Sequence, residues 1–475
     1  MLIGRKKEQA ILRGLLEKEE SQFCAVYGRR RVGKTYLIRE TFNYQFAFQH
    51  TGFAKAPLSR QLSGFRDSLQ RASGKRFRVP RSWMEAFGML EDVLSEKQER
   101  KKVVFLDELS WMDTPRSNFV SALEHFWNSW ATARREKDIV LIVCGSSSSW
   151  ITKKIFRNRG GLHNRLTERI HLAPFCLAEC ERFAKVSGLN MSRQEITEAY
   201  MVLGGVPYYW SLLERELSLA QNIGRLFFDR DAKLKNEFND LYASLFENTQ
   251  PYLSIVEALG KKKIGMTRAA LGAALGESSS GTLTKRLEDL ELSGFIRGYS
   301  CLGKRERGTL YQLIDPFTLF YFSFMTGNKG TDKHFWSSLQ DTPKYNTWAG
   351  LAFERICLWH VPQIKQALGI AGVLTQVYSW TYQPKDEADE GAQIDLLIDR
   401  NDKVINLCEM KYSKTQYRMT AQEEERIRHR WSKFTEVTKT RKAVHITLVT
   451  TYGLKRTANA GIVQQVVTLD DLFKE

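Results

Sequence analysis

The sequence predicts an α/β protein of several domains: a parallel sheet with covering helices first, helices through the middle, and a smaller α/β domain last. Three observations carry this. At 475 residues the chain exceeds what one core ordinarily supports. Apolar runs without helical period, "QFCAVYG" (22–28), Val103–Leu106 and "DIVLIVCG" (138–145), are separated by helical patterns, as buried parallel strands are. Towards the other end, "AQIDLLIDRNDKVINLCEMKYS" (392–413) reads as two apolar strands joined by a polar turn at Asp399–Asp402.

Composition narrows the setting. Hydrophobic content of 43% and charged content of 26% are those of a globular chain, while the formal net charge of +17 favours a polyanionic partner, DNA in the first instance. The opening "MLIGRKKEQAIL" has charges where a secretory signal needs apolar residues. The most apolar stretch, "FTLFYFSFM" (317–325), is too short to span a bilayer. The seven cysteines show neither metal-ligand nor disulfide spacing, so reduced, buried thiols in a cytoplasmic protein without membrane contact are expected.

The first run ends at Gly28, continues as "RRRVGKT" and enters the helical pattern "YLIRETF". Gly28-x4-Gly33-Lys34-Thr35 between a strand and a helix is the context of a phosphate-binding loop. Glycines let successive N–H groups turn toward phosphate oxygens, and the helix N-terminus adds its positive end. Arg29, Arg30, Arg31 and Val32 form the tip of this cradle, where positive charge eases approach of a triphosphate. Lys34 is expected on the β/γ-phosphates and Thr35 on Mg²⁺, with ATP as the ligand.

Such a loop needs a carboxylate from a second strand. "KKVVFLDELSWMD" (101–113) brings Asp107 to hold Mg²⁺ through water and Glu108 to polarise the attacking water. Alone, two acids after an apolar run are an ordinary strand end; the upstream loop reverses that reading. The run at 138–150 ends in serines, of which Ser146 is the candidate to touch the γ-phosphate or the water, although a serine run is also simply a loop. Arg165 and Arg169 are candidates to reach a neighbouring subunit's nucleotide, which would require a homo-oligomer; single arginines in a basic protein are more often surface residues.

These motifs, together with "IGRKKE" (3–8), the R-L-x-x-x-I-x-L-x-P-F pattern from Arg165 to Phe175 and "GGVP" (204–207), resemble the archaeal-type P-loop ATPases of the STAND/AAA+ superfamily over residues 1–315. The resemblance implies that Gly4 and Arg5 border the adenine and that Gly205 and Pro207 lie against the nucleotide from a helical lid. Without it, "GGVPYYW" is a helix break.

The expected domains are a P-loop ATPase core (1–175), a helical lid (176–245), a winged helix-turn-helix (246–315), a linker (316–345) and a last domain (346–475). In the third, helical segments from Pro251 precede a basic hairpin at 297–314. Ser278–Leu292 is its expected recognition helix, offering Thr282, Lys285 and Arg286, with Lys304, Arg305 and Arg307 in the wing. Such modules also serve as packing elements within a chain.

In the last domain the hairpin carries Asp395 on one strand and Glu409 and Lys411 on the other. Residues two apart on a strand share a face, so Glu409 and Lys411 are cofacial. Two converging carboxylates can hold Mg²⁺ or Mn²⁺ beside a lysine that orients water or steadies phosphoryl charge. The helix "LAFERICLWHV" (351–361) adds Glu354. Here the sequence is similar to the PD-(D/E)XK nuclease superfamily, which has the restriction-endonuclease-like fold. That resemblance implies Asp395 and Glu409 as metal ligands, Lys411 as catalytic and Glu354 as the supporting acid. A charged hairpin without chemistry is the bland alternative.

Two functions follow. One is an ATP-hydrolysing, DNA-binding protein that cuts DNA with its C-terminal site. The other is a STAND-type, ATP-controlled switch or scaffold whose last domain binds without cleaving.

Overall fold

The structure, a computed structural model, describes residues 2–474 except 159, 247, 263, 278–280, 303–308, 329–331, 333, 385, 387 and 388. It divides into two compact units, residues 1–174 and 175–475. The first is built on strands β1 (Gln22–Tyr27), β2 (Phe48–Thr51), β3 (Lys102–Asp107), β4 (Ile139–Gly145) and β5 (Glu168–His171). All pair in parallel, in the order β2-β3-β4-β1-β5.

Strand alternation divides its core into two layers. Phe23, Ala25, Val104, Leu106, Leu141 and Val143 pack with Leu62, Phe65, Phe87 and Leu90 from the helices Leu58–Ser73 and Trp83–Ser95. Cys24, Val26, Val103, Phe105, Val140 and Ile142 face the other way, against Leu37 and Ile38 of the helix Lys34–Thr41. A parallel sheet covered on both faces requires such unbroken apolar runs. Its C-terminal strand ends place Tyr27 level with Gly145 and Leu106 level with Val143.

In the second unit, strands β6 (Met266–Thr267), β7 (Ile296–Tyr299) and β8 (Leu310–Leu313) form an antiparallel sheet in the order β6-β8-β7. The helices Gln250–Gly260, Arg268–Leu275 and Gly281–Leu292 bury Leu259, Leu271, Leu283 and Leu287 beside it. Ser278 and the basic residues Lys304, Arg305 and Arg307 lie outside the described residues.

The second sheet runs β13-β12-β11-β10-β9, from β9 (Thr375–Tyr382), β10 (Ala392–Arg400), β11 (Val404–Lys411), β12 (Ala443–Thr450) and β13 (Gln465–Thr468). Pairing is antiparallel across β9, β10 and β11 and parallel from β11 to β13. One face packs Leu396, Ile398, Cys408 and Met410 into the cluster that holds the helix Pro343–Trp359. The other packs Ile394, Leu397, Ile405 and Leu407 against Phe434 of the helix Ala421–Thr438.

The stretch 316–345, expected as a linker, is part of this unit's core: Phe317, Phe320, Phe324, Trp336 and Tyr345 are all buried in one cluster running from Phe175 to Phe473. Each such aromatic withdrawn from water contributes about 2 kcal/mol, which a solvated connection would forgo. The apolar "FTLFYFSFM" is therefore core, and no helix among the described residues is long and apolar enough to cross a membrane. All seven cysteines are free, and all but the half-buried Cys176 are buried.

Candidate functional site: a glycine loop facing two strand-end acids

The loop after β1 is shaped by its glycines. Gly28 has φ 146°, and a Cβ there would sit 2.3 Å from the Leu172 carbonyl oxygen. Gly33, at φ 90°, is the N-terminal flank of the helix Lys34–Thr41. Both conformations suit glycine, and together they turn the chain sharply into the helix. Arg31 takes a positive φ of 69°. Arg29 and Val32 are buried, Arg30 and Arg31 half-buried.

Lys34 is 5% exposed and folds back over the loop, donating to the carbonyls of Gly28 and Arg29 at 2.9 Å each. Burial holds its ammonium below the usual lysine range, opposed by the nearby charges of Glu108 and Asp107. Thr35 Oγ1 donates to Asp107 Oδ2 at 2.9 Å. The loop and the end of β3 thus meet where a hydroxyl touches a carboxylate.

Asp107 is 4% exposed, and its other oxygen accepts from the Glu108 amide at 2.9 Å and from the Cys144 thiol. Burial, then the charge of Asp107, pushes that thiol far up, so it stays a neutral donor. Glu108 has φ 50°, an uncommon left-handed conformation for a non-glycine residue at a strand end. Its carboxylate accepts from Ser146 Oγ at 2.7 Å and from the Ser146 amide at 3.3 Å. Ser146, chosen from the serine run, is therefore bound to the acid expected to act on water.

The remaining expected residues are more scattered. Gly4 has φ 66°, and Arg5, itself at φ 59°, donates from Nη2 to the Ala173 carbonyl at 2.5 Å. Arg165 and Arg169 are exposed, and the Arg169 guanidinium lies 4.7 Å above the Phe156 ring. In the second unit Gly205 is pressed against Phe175, whose carbonyl oxygen would lie 1.9 Å from a Cβ there. Pro207 opens the helix Pro207–Trp210.

The C-terminal residues form a separate constellation. Leu396 of β10 pairs with Cys408 of β11, so Asp395 and Glu409 each adjoin that pair on neighbouring antiparallel strands, at a point where β10 shifts its register against β9. Glu409 is held by Lys411 Nζ at 2.9 Å and by Arg430 Nη1 at 2.6 Å. Burial pushes the Glu409 carboxyl up, but the charges and hydrogen bonds of Lys411 and Arg430 outweigh it and hold it below its ordinary value. Arg430, from the helix Ala421–Thr438, also feels the charges of Asp395 and Glu354, which add to that of Glu409 in favouring its charged form. Arg355, 4% exposed, has its charge opposed by burial and supported by Glu354 and Asp395.

Sequence reasoning missed Arg430 and Arg355. Arg355 adjoins Glu354, but Arg430 belongs to no local pattern and becomes visible only when its helix packs on the sheet. Among the described residues no group of three or more His, Cys, Asp or Glu side chains could hold a metal ion.

The parallel sheet, the glycine loop and the two acids ending β3 define the first unit as a domain of the P-loop ATPase class. Residues 2–213 match the family model of an ATPase domain predominantly from Archaea, so this part of the chain carries an archaeal-type ATPase domain. Over 427 residues the chain is 22% identical to an uncharacterized protein of Methanocaldococcus jannaschii, covering 87% of this chain and 88% of that one. Among solved structures it is similar to a Walker-type ATPase of Pyrococcus abyssi, at 18% identity and a TM-score of 0.47, over 67% of this chain and 95% of that one. It is also similar to the ORC2 protein of Aeropyrum pernix, at 15% identity and a TM-score of 0.43, over 76% and 96%.

Proposed function

We propose that the protein binds and hydrolyses ATP at the loop 28–35. The observation that carries this is the meeting of Thr35, Asp107 and the buried Lys34 at one point. Thr35 and Asp107 offer two hard oxygen donors, which fits Mg²⁺ because that ion takes most of its shell from phosphates and water. The bound ion would draw charge from the phosphates. The loop amides and Lys34 would cradle the β- and γ-phosphates once Lys34 exchanges its carbonyl partners for phosphate oxygens. Glu108 would take the proton of the attacking water, and Ser146 would hold that carboxylate in place. Steady-state hydrolysis by Glu108→Gln tests this: ATP binding should persist while turnover drops at least about a hundredfold. Normal turnover would assign the proton to another group.

For the C-terminal sheet, the reading as a metal-dependent DNA-cleaving site of the nuclease-like fold rests on Asp395 and Glu409, carried by neighbouring antiparallel strands, and on Lys411 beside Glu409. The three helices beside β6–β8 support a winged helix that touches DNA. The switch reading, in which this domain binds without cutting, is favoured by Arg430: a guanidinium already neutralises the carboxylate that would ligate the metal. Mg²⁺- or Mn²⁺-dependent nicking of DNA that disappears in both Lys411→Ala and Asp395→Ala supports cleavage. No nicking by the wild type, with salt-dependent DNA binding intact, supports the switch.

A further inference from the structure

The first unit holds a second constellation that the ATPase reading does not use. At the edge strand β2 a cavity of about 380 Å³ is lined by Arg39, Tyr44, His50, Phe53, Ser68 and Arg71, among others. Its volume falls in the range of small-ligand sites.

Hydrogen bonds fix its chemistry. Ser68 Oγ spends its one proton on the Gly64 carbonyl at 3.2 Å and accepts from Arg71 Nη2 at 2.9 Å. With the hydroxyl proton on Gly64, its remaining lone pair, 3.0 Å from His50 Nδ1, faces an N–H. That places the imidazole proton on Nδ1 and leaves Nε2 a bare acceptor. His50 is 4% exposed, and its Nε2 has no hydrogen-bond partner among the described residues. Burial, then the charge of Arg71, lowers the imidazole to about 4, so it is neutral near pH 7.

The charge balance is equally specific. Among the described residues neither Arg39 nor Arg71 has a carboxylate partner, and Arg39 Nε is buried and unpartnered. Both guanidiniums line the one cavity, the exposed Arg71 at its mouth, so an anion there would meet two positive charges that no carboxylate among the described residues offsets. At the rim Tyr44 and Phe53 are 57% and 37% exposed, faces against which a ring can lie.

We propose that this cavity is a second ligand site, separate from the glycine loop, for a small phosphomonoester whose body carries hydroxyl groups. Arg39 and Arg71 take the phosphate, whose charge of about −1.5 to −2 near pH 7 matches theirs. A ligand hydroxyl donates to His50 Nε2. Neither a bare anion nor a neutral sugar satisfies both ends.

Ribose 5-phosphate is the probe, titrated calorimetrically into the full chain carrying Lys34→Ala, so that the glycine loop contributes little phosphate binding. The expected result is saturable 1:1 binding, absent with ribose, and weakened about tenfold or more by Arg39→Gln and by Arg71→Gln. Inorganic phosphate should bind more weakly than the ester. Both arginine variants, made with Lys34 intact, should still bind ATP as the wild type does, which shows them folded. No saturable binding, or binding untouched by both substitutions, would overturn the proposal. So would a short DNA duplex that depends on Arg71 while ribose 5-phosphate does not bind. The outcome is independent of whether ATP is hydrolysed.

Discussion

His360 offers a perturbation whose size can be worked out from its contacts. The ring is 1% exposed. Its Nδ1 is 2.7 Å from the Ile356 carbonyl and must donate to it, while Nε2 accepts from the Leu177 amide at 3.1 Å. A second ring proton would point at that N–H, so only the neutral form fits. Burial lowers the imidazole from its ordinary 6.5 to about 4, with the bond to Ile356 a smaller, opposing influence. Because the folded value lies below the unfolded one, the unfolded chain takes up the proton first. Stability is therefore full above pH 6.5, falls as pH drops, and levels off below 4. Two and a half units correspond to about 3 kcal/mol.

His360→Gln keeps a neutral acceptor and removes the titration. Hydrogen–deuterium exchange of peptides covering the helix Leu177–Val186, between pH 7 and 4, reads the segment concerned. After correction for intrinsic exchange, the wild type should lose about 3 kcal/mol of protection relative to the variant. Parallel curves for the two proteins would refute the assigned tautomer and the burial penalty together.

Other outcomes follow from the same geometry. Gly28→Ala forces a Cβ against the Leu172 carbonyl and should abolish ATP binding by displacing the loop, as fluorescence titration with a labelled nucleotide would show. Ser146→Ala removes a hydrogen bond to the Glu108 carboxylate and should lower kcat about tenfold with KM unchanged; a change in KM alone would move Ser146 from the acid to the nucleotide. Arg430→Ala leaves Glu409 with one cation and should cost about 2 kcal/mol. Mn²⁺ should restore part of that loss, raising Tm in the variant more than in the wild type, whereas no metal effect would remove Glu409 as a ligand.

Much of the glycine loop and of the acids facing it was legible because these parts are local. Glycines at 28 and 33 and the lysine and threonine after them define a loop by spacing alone, and the acids ending β3 need only the parallel sheet to reach it. Ser146, just past the end of β4, meets Glu108 because β4 lies beside β3. The hairpin β10–β11 was legible too, although its turn is tighter than Asp399–Asp402, with β10 running to Arg400.

What was hidden depends on separate segments meeting. Arg430 reaches Glu409 from a helix whose sequence, "AQEEERIRHRW", reads as a solvated charged face. The stretch 316–345 looks like a connection because glycine and lysine interrupt it at 327–333, yet the aromatics on either side share one core. The cavity at β2 draws Arg39, His50 and Arg71 from three elements, and no periodicity links them.

The most direct test is a calorimetric titration of ATP with Mg²⁺ into the purified full chain and into Lys34→Ala. The wild type should bind one nucleotide per chain, with heat that weakens when Mg²⁺ is withheld, and the variant should bind at least about a hundredfold more weakly. Folded wild-type protein giving no heat, or a Lys34→Ala chain that binds as tightly, would contradict a phosphate cradle at residues 28–35.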